Sequence, residues 1–294
     1  MGFGFEGNII PTDLHLNTYR AELHIHTVLS PCSDIEMIPP LIVRTAIDKG
    51  ISIIAITDHN QSANAQAVIE AAKGTSLAVF PGMELQTAEE VHCLCIFDNI
   101  NQLQVLQNLV DKNLPDISNN TTVFGEQFIV DSTGEFLARD ERLLINSTNL
   151  SIDEACTLVN ELGGLFIPAH VNREAYGLIS HLGFVPPTLE IHALEISSQI
   201  SMSDAYKKFP QLQGYHLIQS GDVHFLEDFL GVNYFRIEIP SIVRWNWRTL
   251  IEISSSPGYG LSVGIQLEVE IIALVTAMSS VACAVVTLVN SILC

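Results

Sequence analysis

The chain has 294 residues, which is long enough to bury a large core in one domain with appendages or in two smaller domains. It carries 33 acidic and 13 basic side chains, for a formal net charge of −20. This surface repels polyanions, so the charge argues against non-specific binding of duplex nucleic acid through a basic face. It argues less strongly against a nuclease, because bound metal ions reverse the local charge.

The six cysteines are scattered and have no CxxC spacing, which predicts reduced thiols. Cys93 and Cys95 share one face of a predicted strand and are expected to fill the core. The first residues contain neither the basic stretch nor the apolar stretch of a secretory signal. These features together predict a cytoplasmic protein.

The first hundred residues alternate short apolar runs with stretches of helical periodicity. This rhythm predicts parallel strands joined by crossover helices. The predicted strands cover residues 21–27, 51–57, 77–80 and 91–97, and the predicted helices cover 39–49, 63–73 and 100–111.

Residues 113–150 break the rhythm with a loop-like stretch and a predicted hairpin around Gly134, which we interpret as a small β-rich insertion. The rhythm resumes at Ser151, a predicted N-cap with Glu154 three residues later. About seven parallel strands in residues 19–235 predict a (β/α) barrel, whose chemistry gathers at the C-terminal ends of the strands. The later strands are predicted over 165–169, 193–197 and 216–220, and a helix over 174–182.

The end of the chain differs in composition. Residues 236–270 are interpreted as an appendage, and residues 271–294 contain no charged side chain. Such a segment is long enough to cross a bilayer, so a membrane anchor is one interpretation. No Lys or Arg flanks the segment, and a buried helix or strand pair is the alternative.

Histidines and carboxylates recur at or near the ends of the predicted strands. His24 and His26 are two residues apart on a strand, so their rings project from the same face. Adjacent strand residues face opposite ways, so Asp58 is expected to orient a ligand rather than to bind beside His59. The recurrence predicts a polynuclear metal site, and imidazole with carboxylate suits Zn, Mn or Fe. The candidate ligands are His24, His26, Asp34, His59, Glu84, His92, His170, Asp222 and His224.

These residues lie in short motifs that resemble the polymerase and histidinol phosphatase (PHP) domain family over about residues 19–228. The resemblance implies a distorted (β/α)7 barrel, like a TIM barrel, with up to three divalent ions. The motifs are Glu22-Leu-His24-Ile-His26, Thr57-Asp58-His59-Asn60, Pro81-Gly-Met-Glu84, Val91-His92, Pro168-Ala-His170 and Gly221-Asp222-Val-His224.

The family pattern also implies how the ligands are shared. Glu84 would bridge two ions, and Cys32 is an alternative to Asp34 at the third ion. The implied sets are His24, His26, Glu84 and Asp222 for the first ion, Glu84, His92 and His170 for the second, and Asp34, His59 and His224 for the third.

This arrangement predicts hydrolysis of a phosphate ester by water activated between the ions. Glu84, Asp222 and His224 would act as ligands, and the last two could assist proton transfer. Arg173 would clamp the phosphate, with Arg44 as a second candidate. A surface ion pair is the alternative for each arginine.

The substrate class remains open at this point. A phosphorylated small molecule or a nucleotide is expected first. The second hypothesis is a 3′ or 5′ exonuclease on single-stranded DNA or RNA, for which Trp245 and Trp247 could supply a stacking platform. The third is a non-catalytic regulatory or membrane-tethered module with a structural metal site.

Overall fold

The computed structural model of the protein describes residues 16–242. This part of the chain forms ten strands and seven α-helices, with short 3-10 turns between them. In chain order they are β1 (Asn17–Ile25), α1 (Pro39–Asp48), β2 (Ile53–Ile56), α2 (Ala65–Ala71), β3 (Ala78–Gln86), β4 (His92–Ile96), α3 (Ile100–Asn113), α4 (Thr121–Phe124), β5 (Phe128–Val130), β6 (Phe136–Arg139), α5 (Ile152–Glu161), β7 (Leu165–Pro168), α6 (Leu178–Leu182), β8 (Ala193–Ile196), α7 (Met202–Lys208), β9 (His216–Gln219) and β10 (Asn233–Ile237).

The main sheet has six strands in the order β10-β1-β2-β3-β4-β7, and β8 pairs with β9 in a second sheet. A single parallel bridge from Ile25 to Val223 brings the end of β9 next to the end of β1. Apolar side chains from eight strands, among them Leu23, Ala55 and Ile218, meet in one buried cluster. Strands can converge in this way only if the main sheet curls around the cluster.

The prediction of a barrel of parallel strands is correct only in part. The pairs β1–β2, β2–β3 and β8–β9 are parallel, whereas β3–β4, β4–β7 and β1–β10 are antiparallel. The short connection between β3 and β4 explains the difference. Residues 87–91 are too few for a crossover helix, so the two strands must form a hairpin. The described residues therefore form a curled mixed sheet rather than a closed ladder of seven parallel strands.

All helices except α4 bury apolar side chains in a second, larger cluster on the outer face of the sheet. Local signals explain where two of them begin. The side chain of Ser151 accepts a hydrogen bond from the Glu154 amide, and Glu154 reaches back to the Ser151 amide, which is the predicted capping box of α5. Asn99 and Gln102 form the same reciprocal pair at the start of α3.

The segment 113–150 contains the predicted hairpin, formed by β5 and β6. Buried amide side chains tie this segment to the body of the fold. Asn60 donates to the carbonyl oxygens of Leu144 and Asn146, both at 2.8 Å. Asn64 donates to the Phe128 carbonyl oxygen at 2.9 Å and accepts from the Val130 amide at 3.0 Å. The hairpin is thus held where β1 and β2 end.

Strand β10 was not predicted, and it closes the edge of β1 through antiparallel pairing from Asn17 to Ala21. Residues 243–270 of the predicted appendage, which include the tryptophans at 245 and 247, and the apolar segment 271–294 lie outside the described residues. None of the helices between residues 16 and 242 has the length and apolar character that a bilayer span requires.

The contacts of Asn64 predict how the hairpin is anchored. Asn64→Ala should leave the Val130 amide and the Phe128 carbonyl without partners, which costs about 1–3 kcal/mol for such buried groups. Hydrogen exchange should become faster at Val130, and urea unfolding should occur at a lower concentration. Asn108→Ala, at an exposed position of α3, is the matched control. Unchanged exchange at Val130 in the Asn64 variant would contradict the anchoring role.

Candidate metal centre

The candidate ligands come from one edge of the curled sheet. His24 lies near the end of β1 and His26 directly follows it, while His59 follows β2 and forms a parallel bridge with Glu84 of β3. His92 is the first residue of β4, which reaches the same edge because β4 runs antiparallel to β3. His170, Asp222 and His224 follow β7 and β9.

Glu84 lies at the middle of this cluster. Its side chain is only 1% exposed, and its two carboxylate oxygens face five imidazole rings. The contacts are 3.2 Å to His24 Nε2, 3.3 Å to His26 Nε2, 3.0 Å to His59 Nδ1, 2.8 Å to His92 Nδ1 and 3.2 Å to His170 Nε2.

One group of four side chains brings its nitrogen and oxygen atoms close together. His24 Nε2 lies 3.1 Å from His26 Nε2, and Asp222 Oδ1 lies 3.2 Å and 3.4 Å from these two nitrogens. Together with Glu84 they are one of three groups whose ligand atoms lie within 4.8 Å of one another. Tetrahedral ligands bound to zinc at about 2.0–2.1 Å are separated by roughly 3.3 Å. The group therefore matches the first ligand set implied by the sequence.

The other two groups differ in membership from the implied sets. The second consists of His59, Glu84 and His92, and the third of His26, His59 and His224. His170 remains close, with Nε2 at 3.2 Å from Glu84 Oε1.

Neither Asp34 nor Cys32 belongs to any of the three groups. The Asp34 carboxylate accepts a hydrogen bond from the Glu36 amide at 2.9 Å, and the Cys32 thiol instead lies 3.1 Å from His224 Nε2.

Unpartnered buried atoms show that these residues suit a cation. Within residues 16–242, several polar side-chain atoms that are shielded from solvent have no hydrogen-bond partner, and five of them are in this cluster. An orphaned buried donor or acceptor is costly, whereas a bound ion would give the acceptors a partner. The five are His59 Nδ1, Glu84 Oε2, His92 Nε2, His170 Nδ1 and Asp222 Oδ1.

The pKa values of the clustered side chains show how their charges are balanced. Burial opposes ionisation of Glu84, but the histidines around it, first His92, hold the pKa of its carboxyl well below the ordinary value. Burial likewise opposes protonation of His26 and His59, yet their carboxylate neighbours raise the pKa of each to about 9. Protons on these rings thus balance the buried carboxylates, and a metal ion could replace them.

The pKa values of two other imidazole rings are lowered instead of raised. Burial, together with nearby histidines, lowers the pKa of His92 and of His224 to about 4. Both imidazoles are therefore neutral near pH 7 and offer a lone pair. His224 Nδ1 lies 2.8 Å from the Asp222 carbonyl oxygen, which can only accept, so Nδ1 carries the proton and Nε2 is the available ligand atom.

A hydrogen-bond relay through Ser30 and Asp58 holds the imidazole of His26 in position. Ser30 Oγ donates to Asp58 and lies 2.9 Å from His26 Nδ1, so Nε2 is the atom of His26 that faces the centre. Asp58 also accepts from the amide and hydroxyl of Thr27. Asp58 therefore orients the loop and the ring, as predicted, instead of entering the cluster.

Glu195 supports the centre in the same way, and the sequence reasoning missed it. Its Oε1 accepts from His24 Nδ1 at 3.0 Å and from the His170 amide at 3.1 Å. The residue is buried on β8. A single acidic residue inside the apolar run Ala-Leu-Glu-Ile was the available signal.

Glu22 fixes the loop that carries Asp222. Its carboxylate accepts from the amides of Gly221, Leu230 and Gly231 at 2.9–3.0 Å. Burial raises the pKa of this carboxyl to about 7, although the three N–H groups favour its ionised form. Its role is therefore to support the loop.

Backbone strain also concentrates here. His170 has φ 29° and Asp222 has φ 51°, both in the left-handed region that non-glycine residues rarely occupy. Such conformations cost about 1–3 kcal/mol and persist where surrounding contacts enforce them. In these backbone conformations, the side chains of His170 and Asp222 both reach the cluster.

The two arginines named from the sequence have different environments. Arg173 forms an ion pair with Asp222 at the edge of the cluster and is 32% exposed. Arg44 pairs with Asp48 on the surface of α1 and is 77% exposed. The surface interpretation is therefore correct for Arg44, while Arg173 lies beside the centre.

Two partly exposed aromatic rings lie next to candidate ligands. Tyr176 stacks on His92, with ring centroids 4.3 Å apart and an interplanar angle of 5°, and is 41% exposed. Phe225 follows His224 directly and is 45% exposed. These rings provide apolar surface next to a cluster of polar groups.

A sequence model of the PHP domain family matches residues 22–171, just over half of the chain. The matched range contains His24, His26, His59, Glu84, His92 and His170. No curated protein matches the chain in sequence.

Solved structures share the fold at low sequence identity. The lesion-specific endonuclease PfuEndoQ from Pyrococcus furiosus has a TM-score of 0.59 and 19% identity, covering 81% of this chain and 57% of that chain. Endonuclease Q in complex with a 27-mer duplex containing an abasic lesion gives 0.58 and 18%, over 80% and 58%. An amidohydrolase from Chromobacterium violaceum with bound sulfate gives 0.52 and 16%, over 79% and 95%. The chain thus spans somewhat more than half the length of the endonuclease structures.

The position of Glu195 predicts an effect on metal affinity. Glu195→Gln should weaken binding about 10-fold because the charge behind His24 is lost, and Glu195→Leu about 100-fold because the acceptor itself is lost, the range typical of such supporting residues. Competition with a chromophoric chelator measures both. Glu190→Gln, at an exposed position, should bind like the unmodified protein. Unchanged affinity in the Leu variant would refute the supporting role.

Proposed function

Because this chain belongs to the PHP domain family of metal-dependent phosphoesterases, we propose that it hydrolyses phosphate esters at a centre of two or three divalent ions. The observation that carries the proposal is Glu84, a buried carboxylate facing five imidazole rings with unpartnered atoms around it. A cluster kept only for stability would satisfy these atoms by hydrogen bonding.

The residues can be assigned to ions as follows. His24, His26, Glu84 and Asp222 would hold the first ion, because their ligand atoms lie within 4.8 Å of one another. Glu84 would also hold a second ion, together with His92. His59 and His170 both lie close to Glu84 and could contribute to this second position. His224 would belong to a third. Imidazole and carboxylate donors favour Zn, Mn or Fe.

When bound, the ions would supply an activated water and neutralise phosphate oxygens. The side chains of the protein would position the phosphate and hold the ions. Arg173, partly exposed while paired with Asp222, is placed to hold a phosphate oxygen with its planar fork. His224 is neutral near pH 7 but has Nε2 directed into the cluster, so it serves as a ligand more readily than as a proton donor.

The substrate would enter beside the insertion. The Phe128 amide donates to the Val28 carbonyl oxygen at 2.9 Å, so the hairpin of β5 and β6, within the insertion 113–150, borders the loop that follows His26. Its position supports a role in substrate choice within a barrel domain of about residues 19–235. Eight of the nine candidate ligands converge on the cluster, which also favours an enzyme over a non-catalytic regulatory module.

A nuclease acting on a single-stranded end is the second candidate. The half-exposed rings of Tyr176 and Phe225 favour it, because bases stack on such surfaces. Endonuclease Q, which has a similar fold, is described as lesion-specific and with duplex DNA bound. The charge of −20 disfavours a long duplex footprint, so contact with a few nucleotides at the centre fits this chain better.

Glu84→Gln tests the main proposal. The purified full-length protein, supplied with Zn²⁺ or Mn²⁺, should hydrolyse an aryl phosphate, a mononucleotide or a single-stranded oligonucleotide. The variant should lose at least about 100-fold in activity and bind less metal, since it loses the bridging charge. Glu161→Gln, at an exposed position, is the control. Absence of tightly bound metal, with no effect of Glu84→Gln on activity or stability, would refute the proposal.

Tyr176 separates the two candidates. Under the nuclease hypothesis, Tyr176→Ala should raise KM for a single-stranded oligonucleotide about 5- to 100-fold, as loss of one stacked base predicts, and leave KM for an aryl phosphate diester nearly unchanged. Tyr176→Phe keeps the ring and should restore binding. Equal effects on both substrates would mean that the ring only supports His92, and the stacking role would be wrong.

A further inference from the structure

The loop between β1 and α1 brings a cysteine to the edge of the cluster. Cys32 Sγ lies 3.1 Å from His224 Nε2. The other cysteines between residues 16 and 242, Cys93, Cys95 and Cys156, are buried in the core, whereas Cys32 is exposed. Its position therefore differs from that of a core-filling thiol.

The carboxylate of the same loop is engaged elsewhere. Asp34 Oδ1 accepts from the Glu36 amide at 2.9 Å, which closes a local turn, and its own amide donates to the His224 carbonyl oxygen. The backbone contact fixes this loop against His224. In that conformation the thiol, rather than the carboxylate, reaches the ligand nitrogen of His224.

A second observation indicates that this position receives a ligand. Only 6% of His59 is exposed, and its Nδ1 lies 3.0 Å from Glu84 Oε2 without a hydrogen bond of normal geometry. Ligand atoms of His26, His59 and His224 also lie within 4.8 Å of one another, and the rings of His26 and His224 stack with centroids 4.2 Å apart. Three imidazoles this close are best accommodated around a cation.

We propose that the Cys32 thiolate, together with His59 and His224, binds one divalent ion of the centre in place of Asp34. The proposal rests on the metal-dependent function inferred above and specifies one position within it. On binding, the S–H bond breaks, sulfur forms a bond to the ion, and the proton is released to solvent. A nitrogen and sulfur donor set favours Zn²⁺, Co²⁺ or Fe²⁺ over Mn²⁺ and Mg²⁺ at this position.

Cobalt provides a direct test. Titration of the metal-free full-length protein with Co²⁺ should produce visible d–d bands and a near-ultraviolet charge-transfer band from thiolate to cobalt. Cys32→Ser should abolish the charge-transfer band and keep d–d bands from the remaining positions. Asp34→Asn is the matched control and should keep both. Metal-dependent proton release, measured in weakly buffered solution, should fall in the Ser variant.

The outcomes distinguish this inference from the proposed function. Visible cobalt bands without a charge-transfer band, or a charge-transfer band that persists in Cys32→Ser, would overturn the role of Cys32 and leave the metal centre intact. Failure of the unmodified protein to bind any cobalt would overturn the metal-dependent function together with this inference.

Thiol reactivity gives a second readout that is independent of colour. Because only the metal-free fraction reacts, Zn²⁺ at about 100 times its Kd should slow alkylation of Cys32 about 100-fold. Mass mapping of the Cys32 peptide reports this thiol separately from the other cysteines. Asp34→Asn should retain the protection, and an unchanged alkylation rate with zinc bound would overturn the assignment.

Discussion

The candidate metal centre depends on the contacts between the buried carboxylate of Glu84 and the imidazole rings around it. Removing a carboxylate from water costs several kcal/mol unless neighbouring groups compensate it. Five imidazoles supply this compensation, and they arrive from the ends of β1, β2 and β7 and from the start of β4. Because each ring must reach the same two oxygens, the strand ends are tied to one another. Glu195 then fixes which nitrogen of His24 faces inward, and Ser30 with Asp58 does the same for His26.

The hairpin of β3 and β4 makes this convergence possible. In its register Glu84 lies opposite Leu94 and Gln86 lies opposite His92. Residues two apart on a strand share a face, and directly opposite residues do too, so Glu84 and His92 are diagonal neighbours on one face. The contact of 2.8 Å between them follows. A parallel strand in the place of β4 would put His92 at the far edge of the sheet, away from the cluster.

The sequence predicted those parts of the centre that depend on local periodicity. The two-residue spacing of His24 and His26 required no tertiary information, and neither did the alternation that separates Asp58 from His59. The antiparallel direction of β4 was missed because its apolar run reads the same in either direction. The choice between Cys32 and Asp34 depends on a loop whose path is set by a hydrogen bond to His224, almost 200 residues away. Glu195 was missed because one acid in a strand has no periodic signal.

The pair of Arg173 and Asp222 connects ion binding to anion binding. The Arg173 guanidinium and the imidazoles of His24 and His26 share the charge of Asp222. An ion held by Asp222 would take over part of that charge and weaken the hold on Arg173. The guanidinium, already one-third exposed, would then be available to a phosphate oxygen. A centre built in this way would bind phosphate more tightly once its ions are in place, so the order of binding would follow from one shared carboxylate.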